Sequence, residues 1–123
     1  MSSTDLNPME VMRGFSPEGA RTYMQLRESV MDNPELRALP TTTKLLVGNG
    51  VASALQSSMC TLMWAKQARE AGVQDAEIAE AILVARLLKA ATVNDTAAEA
   101  LLWLTQNPAS AGRTMAPTSP EGA

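Results

Sequence analysis

A stripe of apolar residues at helical spacing, from Ile78 to Leu88, constrains the fold of this chain more than any other feature. Apolar residues that recur every three or four positions share one face of an α-helix, whereas a half-buried strand requires strict alternation. The stripe follows Gly72, a residue type that is common just beyond a helix end. Only 3% of the residues are aromatic, and alanine and leucine are abundant, which also favours helices over strands. We therefore expect an all-α protein.

Signals for helix starts and ends predict further helices on both sides of this stripe. Ser16 and Pro17 are typical of a helix N-terminus, and a short helical turn is expected over residues 33–40. The helix over residues 41–56 is nearly free of charge and is expected to be buried on most sides. The segment Thr92–Asp95 is expected to interrupt the helix that carries the stripe. The predicted helices begin near Ser16, Asn33, Thr41, Ser58, Gln74 and Thr96.

The 123 residues are enough for one hydrophobic core. We expect a single helical domain over residues 15–106, with a flexible N-terminal arm over residues 1–14. Residues 107–123 are rich in Pro, Ser, Gly, Ala and Thr. Such a composition cannot bury enough apolar surface to offset the entropy of ordering, so a disordered tail is predicted there.

Charge and residue types exclude several classes of function. A net charge of −3 argues against a nucleic-acid partner, which requires a concentrated basic surface. No apolar run reaches the roughly 18–20 residues needed to cross a bilayer. Cys60 is the only cysteine and histidine is absent, so neither an internal disulfide nor an imidazole-ligated metal is expected. These features predict a cytoplasmic protein without metal or cofactor.

Several segments carry a resemblance to a known family. They are residues 42–47, the run from Trp64 to Gly72 that ends in Glu-Ala-Gly, and the Glu-Ile-Ala-Glu-Ala sequence at residues 77–81. Over about residues 41–88 the chain resembles the carboxymuconolactone decarboxylase / alkylhydroperoxidase D-like superfamily. The resemblance implies a compact bundle of five to six helices that assembles with itself as a homotrimer or homohexamer.

The residues that carry the family's chemistry are mostly replaced. In the alkylhydroperoxidase branch, two cysteines fall on Ser57 and Cys60, a histidine on Trp64 and a glutamate on Leu45, so that only Cys60 is retained. A thiol cycle needs a second thiol to close its disulfide, so peroxidase activity is not expected. The decarboxylase branch has a histidine at the position of Trp64. This chain therefore lacks the characteristic histidine of that branch as well.

Six residues are candidates for a site. Cys60 is either a reactive thiol at a helix start or a small apolar filler. Trp64 either fills the family's pocket or forms an aromatic wall for a substrate. Arg86 either joins a surface salt bridge or binds a substrate carboxylate through two parallel hydrogen bonds. With Cys60 and Arg86 as the catalytic candidates, the substrate-binding candidates are Trp64, Asn49, Ser57 and Gln56.

Two glycines, Gly48 and Gly50, lie inside a predicted helix, where each costs about 1 kcal/mol relative to alanine. We interpret them as points of close helix–helix contact. The alternative is that they leave room for a small-molecule ligand beside Asn49.

Three functions fit these observations. The favoured one is a cofactor-independent enzyme of the lyase, decarboxylase or isomerase type, acting on a small organic acid or carbonyl compound with charge stabilised by Arg86. The second is a single-cysteine redox protein that uses Cys60. The third is a non-catalytic binding or assembly module on the same helical scaffold.

Overall fold

The computed structural model describes residues 7–110 of the chain, and these residues form five α-helices and no strand. The all-α prediction is confirmed, and the helix number agrees with the expected five to six. The predicted homo-oligomer remains a prediction. The helices are α1 (Pro8–Phe15), α2 (Pro17–Met31), α3 (Thr41–Ala54), α4 (Ser58–Glu70) and α5 (Asp75–Gln106).

The first two helices begin at side-chain caps. Asn7 accepts a hydrogen bond from the Met9 N–H, and Ser16 accepts one from the Gly19 N–H at 2.9 Å, which satisfies donors that a helix start leaves unpaired. Helix α1 lies within the arm predicted over residues 1–14, apart from its last residue. Of the predicted arm and tail, residues 1–6 and 111–123 lie outside the described part of the chain, so the domain boundaries stay a prediction.

Two predictions about helix continuity are wrong. Helix α5 runs unbroken through residues 92–95, because each of these residues costs only about 0.7 kcal/mol or less in a helix and alanines flank them. The Thr92 hydroxyl also donates to the Lys89 carbonyl at 2.6 Å inside the helix. Residues 33–40 form turns rather than a helix, since Pro40 biases the preceding residue away from helical dihedrals.

The described chain divides into two units, one that ends at Arg86 and one that begins at Leu87. The first unit contains a core to which α2, α3, α4 and the α4–α5 turn contribute. In the second unit, residues 87–106 continue α5, and their large apolar side chains are at least 56% exposed. None of the described helices has the length and apolar character needed to cross a membrane. The core consists of Met31, Leu45, Ala68 and Val73, with Leu46, Trp64 and Ile78 packed against it.

The α3 helix packs on α4 along one face. A Cβ atom added at Gly48 would lie 2.4 Å from ring carbons of Trp64, and one added at Gly50 would lie 3.3 Å from the Ala81 carbonyl oxygen of α5. The interpretation of both glycines as close-contact points is therefore confirmed. The expectation that α3 is buried on most sides is wrong for the single chain, since its opposite face is open to solvent. Val47, Val51 and Leu55 are all at least half exposed.

Candidate functional site

Helix α4 is preceded by Ser57, the residue on which the first family cysteine falls. The Ser57 hydroxyl oxygen accepts a hydrogen bond from the Cys60 N–H at 3.2 Å, and the Ser57 carbonyl accepts one from the Thr61 hydroxyl at 2.7 Å. Ser57 is thus the N-cap that satisfies a donor in the first turn. Cys60 occupies the third position of α4 and is exposed.

The turn between α3 and α4 contains the one non-glycine residue with positive φ among residues 7–110. Gln56 has a φ of 64° and donates its N–H to the Ser53 carbonyl, while Ser57 donates to the Ala52 carbonyl at 3.0 Å. This pair of bonds defines a Schellman motif, in which the left-handed position is ordinarily a glycine. The α4 helix ends in the same motif, with Gly72 at a φ of 93°, as the sequence predicted for that helix end.

Gln56 and Ser57 border a surface depression at this turn, which we call the turn depression. Its volume is about 490 Å³. Most of the surface that lines it is apolar, although five of its seven lining residues carry a hydroxyl or amide group. Trp64, Asn49, Cys60 and Arg86 are not among the lining residues, which are Ser53, Gln56, Ser57, Ser58, Thr61, Leu62 and Ala65.

Asn49 is fully buried and ties α3 to α4. Its Nδ2 donates to the Thr61 carbonyl at 2.9 Å. Its Oδ1 receives no hydrogen bond from any described residue, although an unsatisfied buried acceptor costs about 1–3 kcal/mol. Thr61 also lines the turn depression. Asn49 therefore does not line the depression itself, but its hydrogen bond to Thr61 helps to hold the α4 residues that do.

Trp64 packs on the α3 backbone at Gly48, where even a methyl group would collide with the ring. The ring also contacts the hydrophobic core. The guanidinium of Arg27, from α2, lies over it at 5.4 Å from the ring centroid, within the range of a cation–π interaction. This geometry supports the interpretation that Trp64 fills space on the scaffold.

Arg27 and Gln67 are missed by reasoning from the sequence. The Arg27 Nη2 donates to Gln67 Oε1 at 2.6 Å, which joins α2 to α4 next to Trp64. A signal is present, because Arg27 lies four residues before Met31 and therefore on the same helical face as that buried side chain. The hydrogen bond from Arg27 to Gln67 joins residues 40 positions apart, so no local sequence pattern predicts it.

Arg86 does not line the turn depression. It is exposed on α5 and forms no ion pair with another described residue, Glu80 and Glu99 included. Leu45, at the position of the family glutamate, is buried in the core. In the described part of the chain, no three His, Cys, Asp or Glu side chains are grouped so that they could hold a metal ion.

Comparison with known proteins agrees with this architecture. The sequence model of the Carboxymuconolactone decarboxylase family matches residues 17–105. A crystal structure of a structural-genomics target protein from Methanobacterium thermoautotrophicum is similar, with a TM-score of 0.66 and 32% sequence identity. The similarity covers 72% of this chain and 96% of that one. No curated protein matches the chain.

The helical frame, with a capped α4 packed on a glycine-containing α3, defines a small all-α protein of the alkylhydroperoxidase D-like superfamily. Within that superfamily, the match over residues 17–105 shows that the chain belongs to the Carboxymuconolactone decarboxylase family.

Proposed function

We propose that this family member is a cofactor-independent enzyme of the lyase, decarboxylase or isomerase type, which binds a small organic acid or carbonyl compound in the turn depression. The observation that carries the proposal is the left-handed backbone at Gln56. Gln56 and Ser57 would bind the substrate, and Asn49 would position Thr61 behind them.

The left-handed conformation is costly for glutamine. It raises the energy of a residue that has a Cβ atom by about 1 kcal/mol or more, whereas glycine adopts it readily. The chain uses glycine for the same motif at Gly72 but not at residue 56. Strained positions of this kind tend to occur at binding and catalytic sites. The side chain of Gln56 at the rim of the turn depression therefore supports a role in binding.

The groups in the turn depression fit a carbonyl or carboxylate oxygen. The hydroxyls of Ser57 and Ser58 and the Gln56 amide can donate hydrogen bonds to such an oxygen as it gains negative charge. The hydroxyls of Ser53 and Thr61 already donate to backbone carbonyls. The N-terminus of α4 opens beside them and contributes its partial positive charge. Arg86 does not line this depression, so charge stabilisation here rests on hydroxyl, amide and helix-terminal groups.

The proposal is tested with Gln56→Gly. Removing the strain should raise the free energy of unfolding by about 1 kcal/mol, while removing the amide should lower kcat/KM. Carbon dioxide release and ultraviolet absorbance are followed with carboxymuconolactone and a set of β-keto acids as probes. The matched control is Gly14→Ala, which also stabilises a helix but lies where an added Cβ meets nothing within 4 Å.

Two results would refute this assignment. One is an unchanged kcat/KM in Gln56→Gly. The other is the absence of turnover by the full-length protein with every probe, which would favour the non-catalytic module instead. The packing of Trp64 against Gly48 supports that second candidate, because it closes the position where the family has its histidine.

The single-cysteine alternative rests on the exposure of Cys60 and its place in the first turn of α4. It requires an external thiol as the resolving partner. Alkylation of Cys60 faster than that of free cysteine at neutral pH would support it. The cytoplasmic location and the homotrimeric or homohexameric assembly are part of the proposal.

A further inference from the structure

We propose that Arg27, Trp64 and Gln67 form a binding site for the carboxylate of a small planar organic acid. We call this group the arginine–indole site. None of its residues lines the turn depression, so the site does not depend on the reaction proposed there.

The first argument is the charge of Arg27. Three other arginines, Arg13, Arg21 and Arg69, each pair with a carboxylate, and all three side chains are about half exposed or more. Arg27 is more buried than these and forms no ion pair within residues 7–110. A partly buried cation without a counterion is unfavourable, so an anion from outside these residues would stabilise it.

The second argument is the excess of hydrogen-bond donors. Gln67 uses its Oε1 to accept from Arg27, which leaves its amide nitrogen as a donor close to the guanidinium. The indole N–H of Trp64 can only donate. Neither nitrogen donates to an acceptor within residues 7–110, and neither is completely enclosed by them. The arginine–indole site thus offers hydrogen-bond donors from three residues, and the Gln67 Oε1 is its one acceptor atom.

The third argument is shape. The Arg27 guanidinium lies over the indole at 5.4 Å from its centroid, and its hydrogen bond to Gln67 leaves most of its N–H groups unused. A guanidinium edge matches the two oxygens of a carboxylate. Because Gly48 fixes the ring from the α3 side, little ordering is needed when an acid binds. Because the indole is only partly buried, its exposed part can contact a planar group attached to the carboxylate.

The test uses benzoate as the probe and benzamide as its uncharged counterpart. The indole N–H resonance of Trp64 is followed by NMR during titration of the full-length protein. Benzoate should shift this resonance saturably and benzamide should not. Arg27→Gln should weaken benzoate binding about tenfold or more. Arg27→Lys should retain part of the binding, since lysine keeps the charge but loses the two-pronged geometry.

The control variant is Arg21→Gln, which removes an exposed arginine of the same helix that pairs with Glu18. It should bind benzoate as the wild type does. Equal shifts with benzoate and benzamide would overturn the proposal, and this comparison stands on the wild-type protein even if Arg27→Gln does not fold. Unchanged binding in a folded Arg27→Gln would also overturn it. A third contrary result combines two measurements: the wild type does not respond to benzoate, and Arg27→Gln changes the mass measured by sedimentation. Arg27 would then pair with a carboxylate of a second copy of the chain.

Discussion

At the scale of single residues, the contact between Gly48 and Trp64 makes a prediction whose sign is unusual. Alanine normally stabilises a helix interior by about 1 kcal/mol relative to glycine. At residue 48, however, the new Cβ would lie 2.4 Å from the indole, and such overpacking costs about 1–3 kcal/mol. We expect Gly48→Ala to lower the free energy of unfolding, as measured by urea denaturation.

A double-mutant cycle separates this clash from other effects. In a Trp64→Leu background the obstructing ring is gone, so Gly48→Ala should become neutral or stabilising. If Gly48→Ala destabilises both backgrounds equally, the ring does not occupy the space over α3.

The candidate residues differ in how far the sequence could place them. Ser57 and Gln56 are neighbours in the chain, so their joint position at the α3–α4 turn follows from the predicted helix ends. Asn49 could be predicted to face inward from the helical period. Arg27 could not be assigned to Trp64, because that contact depends on how α2 packs against α4, and the packing of two distant helices leaves no local signal in the sequence.

At the scale of helices, the sequence predicts where a helix ends better than it predicts whether a helix continues without a break. The end of α4 was predictable because Gly72 adopts a left-handed conformation that few other residues tolerate. The unbroken α5 was not, since residues 92–95 are only weakly unfavourable for a helix and their neighbours decide the outcome. The arrangement of the α3–α4 turn around Gln56 was also unpredictable, because a glutamine carries no turn signal.

The link between α4 and α5 predicts a dependence of stability on pH. The Arg69 guanidinium donates to both carboxylate oxygens of Asp75, at 3.0 and 2.7 Å. The hydrogen bond, followed by the charge attraction, lowers the pKa of Asp75. A lowered pKa in the folded state stabilises the protein above the unfolded value of about 3.9. This stabilisation is lost as the pH falls through the folded value.

Asp75→Asn should therefore lower the melting temperature at neutral pH by a small amount that salt reduces, because both side chains are exposed. The difference between variant and wild type should shrink below about pH 4. A difference that is constant from neutral to acidic pH would show that the carboxylate charge of Asp75 is not responsible. Glu18→Gln, which breaks an ion pair within α2, is the control for a charge change that does not link two helices.

At the scale of the whole molecule, the exposed apolar surface of residues 87–106 predicts association with a second copy of the chain. The large apolar side chains of residues 87–106 are all at least 56% exposed in the single chain. Soluble monomers rarely expose such extended apolar surface. The homotrimer or homohexamer that the family resemblance implies would bury it.

This assembly is tested by sedimentation analysis of the full-length protein over a range of concentrations. The wild type should sediment as a multiple of the 13.1 kDa chain. Leu101→Glu should shift the mass towards the monomer, because a carboxylate placed in an apolar interface must be desolvated without a partner. Thr96→Glu adds the same charge to α5 at a residue that is already polar, so it should retain more of the assembly. A wild type that is monomeric at all concentrations would mean that α5 holds its helical form without another copy, and the apolar side chains of residues 87–106 would then need a different partner.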